Sequence, residues 1–219
     1  MLQVATSILL IFSALFPIVD PIGGSPIFLS LTRDYPVPMR RLLARRIGLN
    51  SFVLLVASFT VGSHVLTFFG LSLPVVQVGG GLVVISTGWA MLNKRDDERD
   101  AVGRIISRAD FLKDAFYPLT LPLTVGPGSI SVAITLGANA PSRLRENLFA
   151  VLAAAIASFL IAVSVYVCYG FSDRLELMIG PNGMNVIVRL TSFLIVCIGV
   201  QILWNGISTL LLSLPNRVF

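Results

Sequence analysis

Apolar residues run along this chain in long stretches, and polar residues are gathered into the short gaps between them. From residue 1 to residue 32 the only ionisable side chain is Asp20, and between Arg46 and Lys94 there is none except His64. A helix crosses the hydrocarbon of a bilayer with about 20 apolar residues. The pattern predicts six such helices, over 2–32, 43–69, 73–93, 111–138, 147–171 and 187–214. The most polar stretch, 94–110, divides them into two sets of three, so the chain reads as a first three-helix unit (1–93), a charged loop (94–110) and a second three-helix unit (111–219).

Composition strengthens that picture. Of 219 residues, 55% are hydrophobic and 12% charged, whereas a soluble domain needs a surface with roughly 25% charged residues. The expected class is an all-α membrane protein facing lipid. The net charge of +5 is therefore read topologically first, through the bias of Lys and Arg toward cytoplasmic loops. With the N-terminus outside, five arginines from Arg33 to Arg46, six basic residues from Lys94 to Lys113, and Arg174 and Arg189 fall inside. Only Arg143, Arg145 and Arg217 fall outside, so 13 of the 16 basic residues are cytoplasmic and both termini are periplasmic or extracellular. Six acids balance six bases between Lys94 and Asp114, which suits a solvated loop rather than a nucleic-acid-binding surface. No Lys or Arg precedes Arg33, so the first apolar run lacks the basic start of a signal peptide and is read as part of the mature protein. Cys168 and Cys197 both lie in apolar runs, and neither a disulfide framework nor a metal site is indicated.

Two segments resemble each other across the central loop. Pro17, Asp20, Pro21, Gly23, Gly24, Ser25 and Pro26 interrupt the first apolar run. Pro122, Thr124, Gly126, Pro127, Gly128 and Ser129 interrupt the fourth. Pro17 and Pro122 are 105 residues apart, as are Gly23 and Gly128. Three spans per half is an odd number, so the second half enters the membrane from the opposite side. The expected architecture is two inverted-topology three-helix repeats, an arrangement common among secondary transporters, with helices 1 and 4 broken near the midplane.

Proline deletes a helical hydrogen bond and glycine weakens helical preference, so such clusters should unwind both helices. Unwound backbone is tolerated at that depth only inside protein or along a wet cavity, which predicts that the two breaks face each other. The half-helices before the breaks should end near Phe16 and Leu121. Ser25-Pro26 and Gly128-Ser129 have the residue types of helix starts, whose free N–H groups suit a carboxylate. The opposite helix ends offer carbonyls to an ammonium group, so a zwitterion fits both. Asp20 has two candidate roles, ammonium partner and proton carrier, beside the plainer one of capping neighbouring amides. The candidate substrate-binding residues are Asp20, Gly23, Gly24, Ser25, Thr124, Gly126, Gly128 and Ser129, and the candidate helix-breaking residues are Pro17, Pro21, Pro26, Pro122 and Pro127.

Lesser candidates have plainer readings. Thr120 and Thr124 either coordinate substrate or bond back to a helical carbonyl. His64 reads as a packed or interfacial histidine, and Asn50, Gln77, Gln201 and Asn205 as interhelical hydrogen-bonding groups. Arg189 reads as snorkelling. Ala150, Ala154, Ser158 and Ala162 give the fifth span a small-residue packing face. With one histidine, no H-E-x-x-H and no G-x-S-x-G, the chain offers no catalytic constellation, and no enzyme and no cofactor are expected.

The stretch Asp20 to Thr32, the later Gly126-Pro127-Gly128-Ser129-Ile130, and Gly199 to Ile207 together resemble the MarC family of integral membrane proteins, over nearly the whole chain. The resemblance implies a six-span protein of the inner membrane. Through the SnatA branch it implies proton-coupled transport of small neutral amino acids such as glycine and alanine. The competing expectations are a non-transporting membrane scaffold, with no cavity between the breaks, and an exporter of amino acids or another small solute.

Overall fold

The computed structural model describes residues 2–32, 35–93, 115–117, 119–140 and 144–213; the loop predicted at 94–110 lies outside them. The described residues form eight helices and no strand: α1 (Leu2–Val19), α2 (Pro21–Leu31), α3 (Val37–Phe68), α4 (Leu73–Asn93), the short π-helical α5 (Leu119–Thr124), α6 (Pro127–Ala138), α7 (Leu144–Gly170) and α8 (Ser172–Ser213). Five stretches are long and apolar enough to cross a membrane: Val4–Leu29, Val37–Phe68, Leu73–Ala90, Leu148–Gly170 and Asn185–Ser213. The first of them is interrupted at Asp20, between α1 and α2. At the place of the fourth predicted span stand α5 and the short apolar α6.

Two helices begin well before the apolar pattern does. Pro36 caps α3 and Pro38 lies in its first turn, where a missing N–H costs nothing. The helix therefore starts at Val37 rather than 43 and takes in Arg40, Arg41, Arg45 and Arg46. At about 1.5 Å per residue its 32 residues span some 48 Å, longer than a hydrocarbon core of about 30 Å. Hydropathy registers only the lipid-facing part. The same holds for α8, which starts at Ser172 and bends at Gly180, whose φ of 74° is open to glycine but strained for other residues.

Lipid offers no hydrophobic drive for helices to associate, so close backbone approach carries much of the packing. On α4, Pro74, Gly81 and Gly88 recur every seventh residue; on α8, so do Ser192, Gly199 and Gly206. A Cβ at Gly81 would lie 2.6 Å from the Leu203 amide nitrogen, and one at Gly206 would lie 2.7 Å from the Pro74 carbonyl oxygen. Gly88 meets Ser192 in the same way, so the two helices run antiparallel. α3 and α7 are also antiparallel: Gly48 faces the Ala162 carbonyl, and Phe52 meets Phe159 edge to face at 6.5 Å. The small-residue face expected on α7 is buried at Ala154, Ser158 and Ala162, joined by Ala153 and Ala157.

Where α3 begins and α8 begins, Arg40 pairs with Asp173 at 2.8 Å, and the guanidinium groups of Arg41 and Arg174 lie over the Phe171 ring at 5.4 and 5.6 Å. Asn50 bridges helices as expected, donating to the Thr120 hydroxyl at 3.3 Å. Gln201 instead donates to Asn205 at 2.9 Å, one turn along the same helix. An exposed pair four residues apart satisfies itself. His64 and Arg189 are exposed on their helices.

Candidate functional site

Asp20 is the only non-glycine residue with positive φ among those described (φ 44°, ψ 65°). Aspartate tolerates this left-handed conformation better than most residues. Its own N–H still closes α1 by donating to the Phe16 carbonyl at 2.9 Å, and its side chain then caps α2, Oδ1 accepting the Gly23 N–H at 3.0 Å. Pro21 follows as the first residue of α2. Having no N–H, it leaves the Pro17 carbonyl without a helical donor. A Cβ on Gly23 would collide with the Asp20 carboxylate and lie 2.6 Å from the Thr191 hydroxyl. Asp20 Oδ2 is buried beside the Thr191 hydroxyl, which also lies within hydrogen-bonding distance of the carbonyls of Ile187 and Val188.

This geometry moves the first break. α1 runs through Pro17 to Val19 instead of ending near Phe16, and α2 starts at Pro21 rather than behind Ser25, leaving Pro26 inside it. A single proline costs a helix one hydrogen bond, and here the loss is made good: the Ser25 hydroxyl donates to the Ile22 carbonyl at 3.0 Å, the group that Pro26 leaves unserved. The Gly23 amide bonds Asp20 Oδ1, and the Gly24 amide bonds the Asp20 carbonyl at 2.9 Å. Neither remains for a substrate carboxylate.

The second break is built differently. Leu121 is extended (φ −105°, ψ 127°) because Pro122 follows it. The turn closes with π-type spacing, the Val125 N–H donating to the Thr120 carbonyl at 2.9 Å. Thr120 and Thr124 both bond back, donating to the carbonyls of Ala115 and Leu119 at 2.6 and 2.8 Å. The helix is thus kinked at the extended Leu121, where the sequence predicts its end, and a second interruption at Val125 and Gly126 precedes α6. Gly126 caps α6 in an extended conformation without a side-chain hydrogen bond, and Pro127 is the first helical residue. The Ile130 N–H is the first to reach back, to the Gly126 carbonyl at 3.1 Å, and the Ser129 hydroxyl takes the same carbonyl at 2.9 Å. The N–H groups of Gly128 and Ser129 therefore stand at an uncapped helix start, where the helix dipole favours negative charge.

Both breaks line one cavity of about 400 Å³, within the range of about 300 to 1,000 Å³ usual for small-molecule sites. Ile18, Val19, Asp20, Gly24 and Ile27 come from the first break. Leu123, Thr124, Gly126, Pro127, Gly128 and Ser129 come from the second. Val84, Ser86, Thr87 and Ala90 of α4 and Ile195 of α8 complete the wall. Of the residues singled out in the sequence, Asp20, Gly24, Thr124, Gly126, Gly128, Ser129 and Pro127 line the cavity. Gly23 lies behind Asp20, and Ser25, Pro17, Pro21 and Pro26 are not in the lining. Gly128 is there because Val84 packs against it: a Cβ would run into a Val84 methyl. Sequence reasoning missed Ser86, Thr87, Thr191 and Tyr169. Ser86 and Thr87 gave a usable signal, as adjacent hydroxyls in an otherwise apolar span.

The family model for MarC family integral membrane proteins matches residues 5–211. The UPF0056 membrane protein of Methanocaldococcus jannaschii is 28% identical over 204 residues, covering 93% of this chain and 97% of that one. The UPF0056 inner membrane protein MarC of Escherichia coli K12 is 30% identical over 203 residues, covering 88% and 90%. No solved structure matches. With its apolar spans and a family match running almost end to end, the chain belongs to the MarC family and is an integral membrane protein.

Proposed function

We propose that this protein is a secondary transporter of small neutral amino acids, of the size of glycine or alanine, coupled to protons as in the SnatA branch. The observation that carries the reading is the shared cavity: two interrupted helices, far apart in sequence, turn their broken backbone toward one small chamber. Non-helical backbone lining a cavity at a repeat interface is how secondary transporters build substrate sites.

The chamber has two electrical poles. The free amides of Gly128 and Ser129 at the start of α6 suit a carboxylate. The carbonyl end of α1 and the Asp20 carboxylate, which line the chamber at Ile18, Val19 and Asp20, suit an ammonium group. The apolar remainder, from Ile18, Ile27, Val84, Leu123 and Ile195, leaves room for a small uncharged side chain. Asp20 either faces the ammonium or carries the coupling proton. In this reading the two three-helix halves are inverted repeats that rock about the chamber, which opens alternately to each side. The antiparallel pairing of α4 with α8 and of α3 with α7 supports it, since corresponding spans of inverted repeats must oppose each other.

The test is glycine and alanine uptake by proteoliposomes under an imposed pH gradient. The unmutated protein should accumulate substrate, Gly128→Leu should fill the chamber and abolish uptake, and Asp20→Asn should lose accumulation driven by the gradient. Uptake at the unmutated rate in both variants would remove the assignment.

A further inference from the structure

Tyr169 is almost wholly buried near the end of α7, outside the cavity lining but directly behind it. Its ring stacks on Phe28 of α2 with centroids 4.8 Å apart and planes 17° apart. Its hydroxyl lies against the Cα of Gly24, so close that a Cβ there would stand 2.5 Å from the oxygen and 3.3 Å from Cζ. The same hydroxyl is 3.1 Å from the Thr124 hydroxyl. Thr124 already donates its proton to the Leu119 carbonyl, so Tyr169 is the donor between them. Gly24 belongs to the first break and Thr124 to the second, and both are cavity walls. One side chain from a third helix thus touches both broken elements at the points where they face the chamber.

We propose that Tyr169 is the positioning residue that makes a single site of the two breaks: its ring is seated on α2, its hydroxyl sets the place of Thr124, and substrate affinity depends on that hydroxyl. The glycine at position 24 is then explained, since any side chain would push the hydroxyl off Thr124. The proposal rests on the cavity being the transport site.

The experiment compares Tyr169→Phe, Gly24→Ala and the double variant, as full-length protein, in glycine uptake and in melting temperature. Tyr169→Phe keeps the stacked ring and loses only the hydroxyl. It should raise KM for glycine roughly five-fold, the weight of one ordinary hydrogen bond, with Vmax kept and the melting temperature lowered by no more than the loss of that one bond. Gly24→Ala should damage both uptake and stability, and adding Tyr169→Phe should restore them to the level of Tyr169→Phe alone, because the obstructing oxygen is gone. If Gly24→Ala does not fold by itself, Tyr169→Phe and Thr124→Val serve instead, and their effects on KM should fail to add. An unchanged KM in Tyr169→Phe, or a loss of Vmax and stability at constant KM, would show a merely structural tyrosine and overturn the proposal. If the unmutated protein takes up no glycine, the transport reading fails instead. The melting-temperature cycle then decides the tie separately: additive effects of Gly24→Ala and Tyr169→Phe overturn it, and rescue upholds it.

Discussion

At the scale of the residue, Asp20 does two jobs that can be separated. One oxygen caps α2 through the Gly23 amide, and the other is buried beside the Thr191 hydroxyl. Asn caps helices as well as Asp does and shares its tolerance of positive φ. Asp20→Asn should therefore keep the melting temperature of the detergent-solubilised protein while losing gradient-driven uptake. Asp20→Ala should lose both, with about 1 kcal/mol of stability from the missing cap. Equal melting temperatures for Asp20→Ala and the unmutated protein would show that the cap contributes nothing. The importance of Asp20 was legible in the sequence, because a lone acid in an apolar span is conspicuous. Thr191 and Tyr169 were not, since a hydroxyl among apolar residues gives no sign of which helix it will meet. Their partners come from other spans, and pairing across spans leaves no local pattern.

At the scale of the element, the two breaks look alike in sequence and differ in construction. Each was legible as a proline and glycine cluster. The first slipped by three or four residues, because a proline within a helix removes one donor without ending the helix when another group serves the stranded carbonyl, as the Ser25 hydroxyl serves Ile22, whereas the second kinks at Leu121 as the sequence predicts. The breaks fall where the backbone itself turns, at Asp20 in the first and at Leu121 and again at Val125–Gly126 in the second. The first is capped by its own carboxylate and the second is left open, so anion affinity concentrates at α6. Between elements, the glycines of α4 and α8 hold the backbones together. Gly81→Leu would force a side chain into the Leu203 backbone, and overpacking of this kind costs about 1 to 3 kcal/mol. The variant should melt lower in detergent, whereas Gly79→Leu, where nothing lies within 4 Å, should melt near the unmutated protein. Similar losses in both would mean that helical propensity, not close packing, sets the effect.

At the scale of the whole molecule, five of the six expected spans appear as long apolar helices, since hydropathy needs no knowledge of neighbours. What the pattern cannot carry is how the halves sit together, which depends on contacts between distant residues. Side is a separate question, and the geometry sharpens it. The starts of α3 and α8 share one end through Arg40 and Asp173, with Arg41 and Arg174 beside them. The end of α3 and the start of α4, around Phe68 to Ser72, fall at the opposite end, where Pro74 meets Gly206. The first end carries the arginines, so the positive-inside bias predicts that it faces the cytoplasm. Single cysteines test this in a chain whose Cys168 and Cys197 are replaced by alanine. A membrane-impermeant maleimide applied to intact cells should label exposed Ser72→Cys, and should reach Val37→Cys at the start of α3 only after permeabilisation. The reverse pattern would invert the topology and place the arginine-rich end outside. Labelling of both sites in intact cells would mean that α3 does not cross the bilayer, and the chamber between the breaks would then have no two sides to connect.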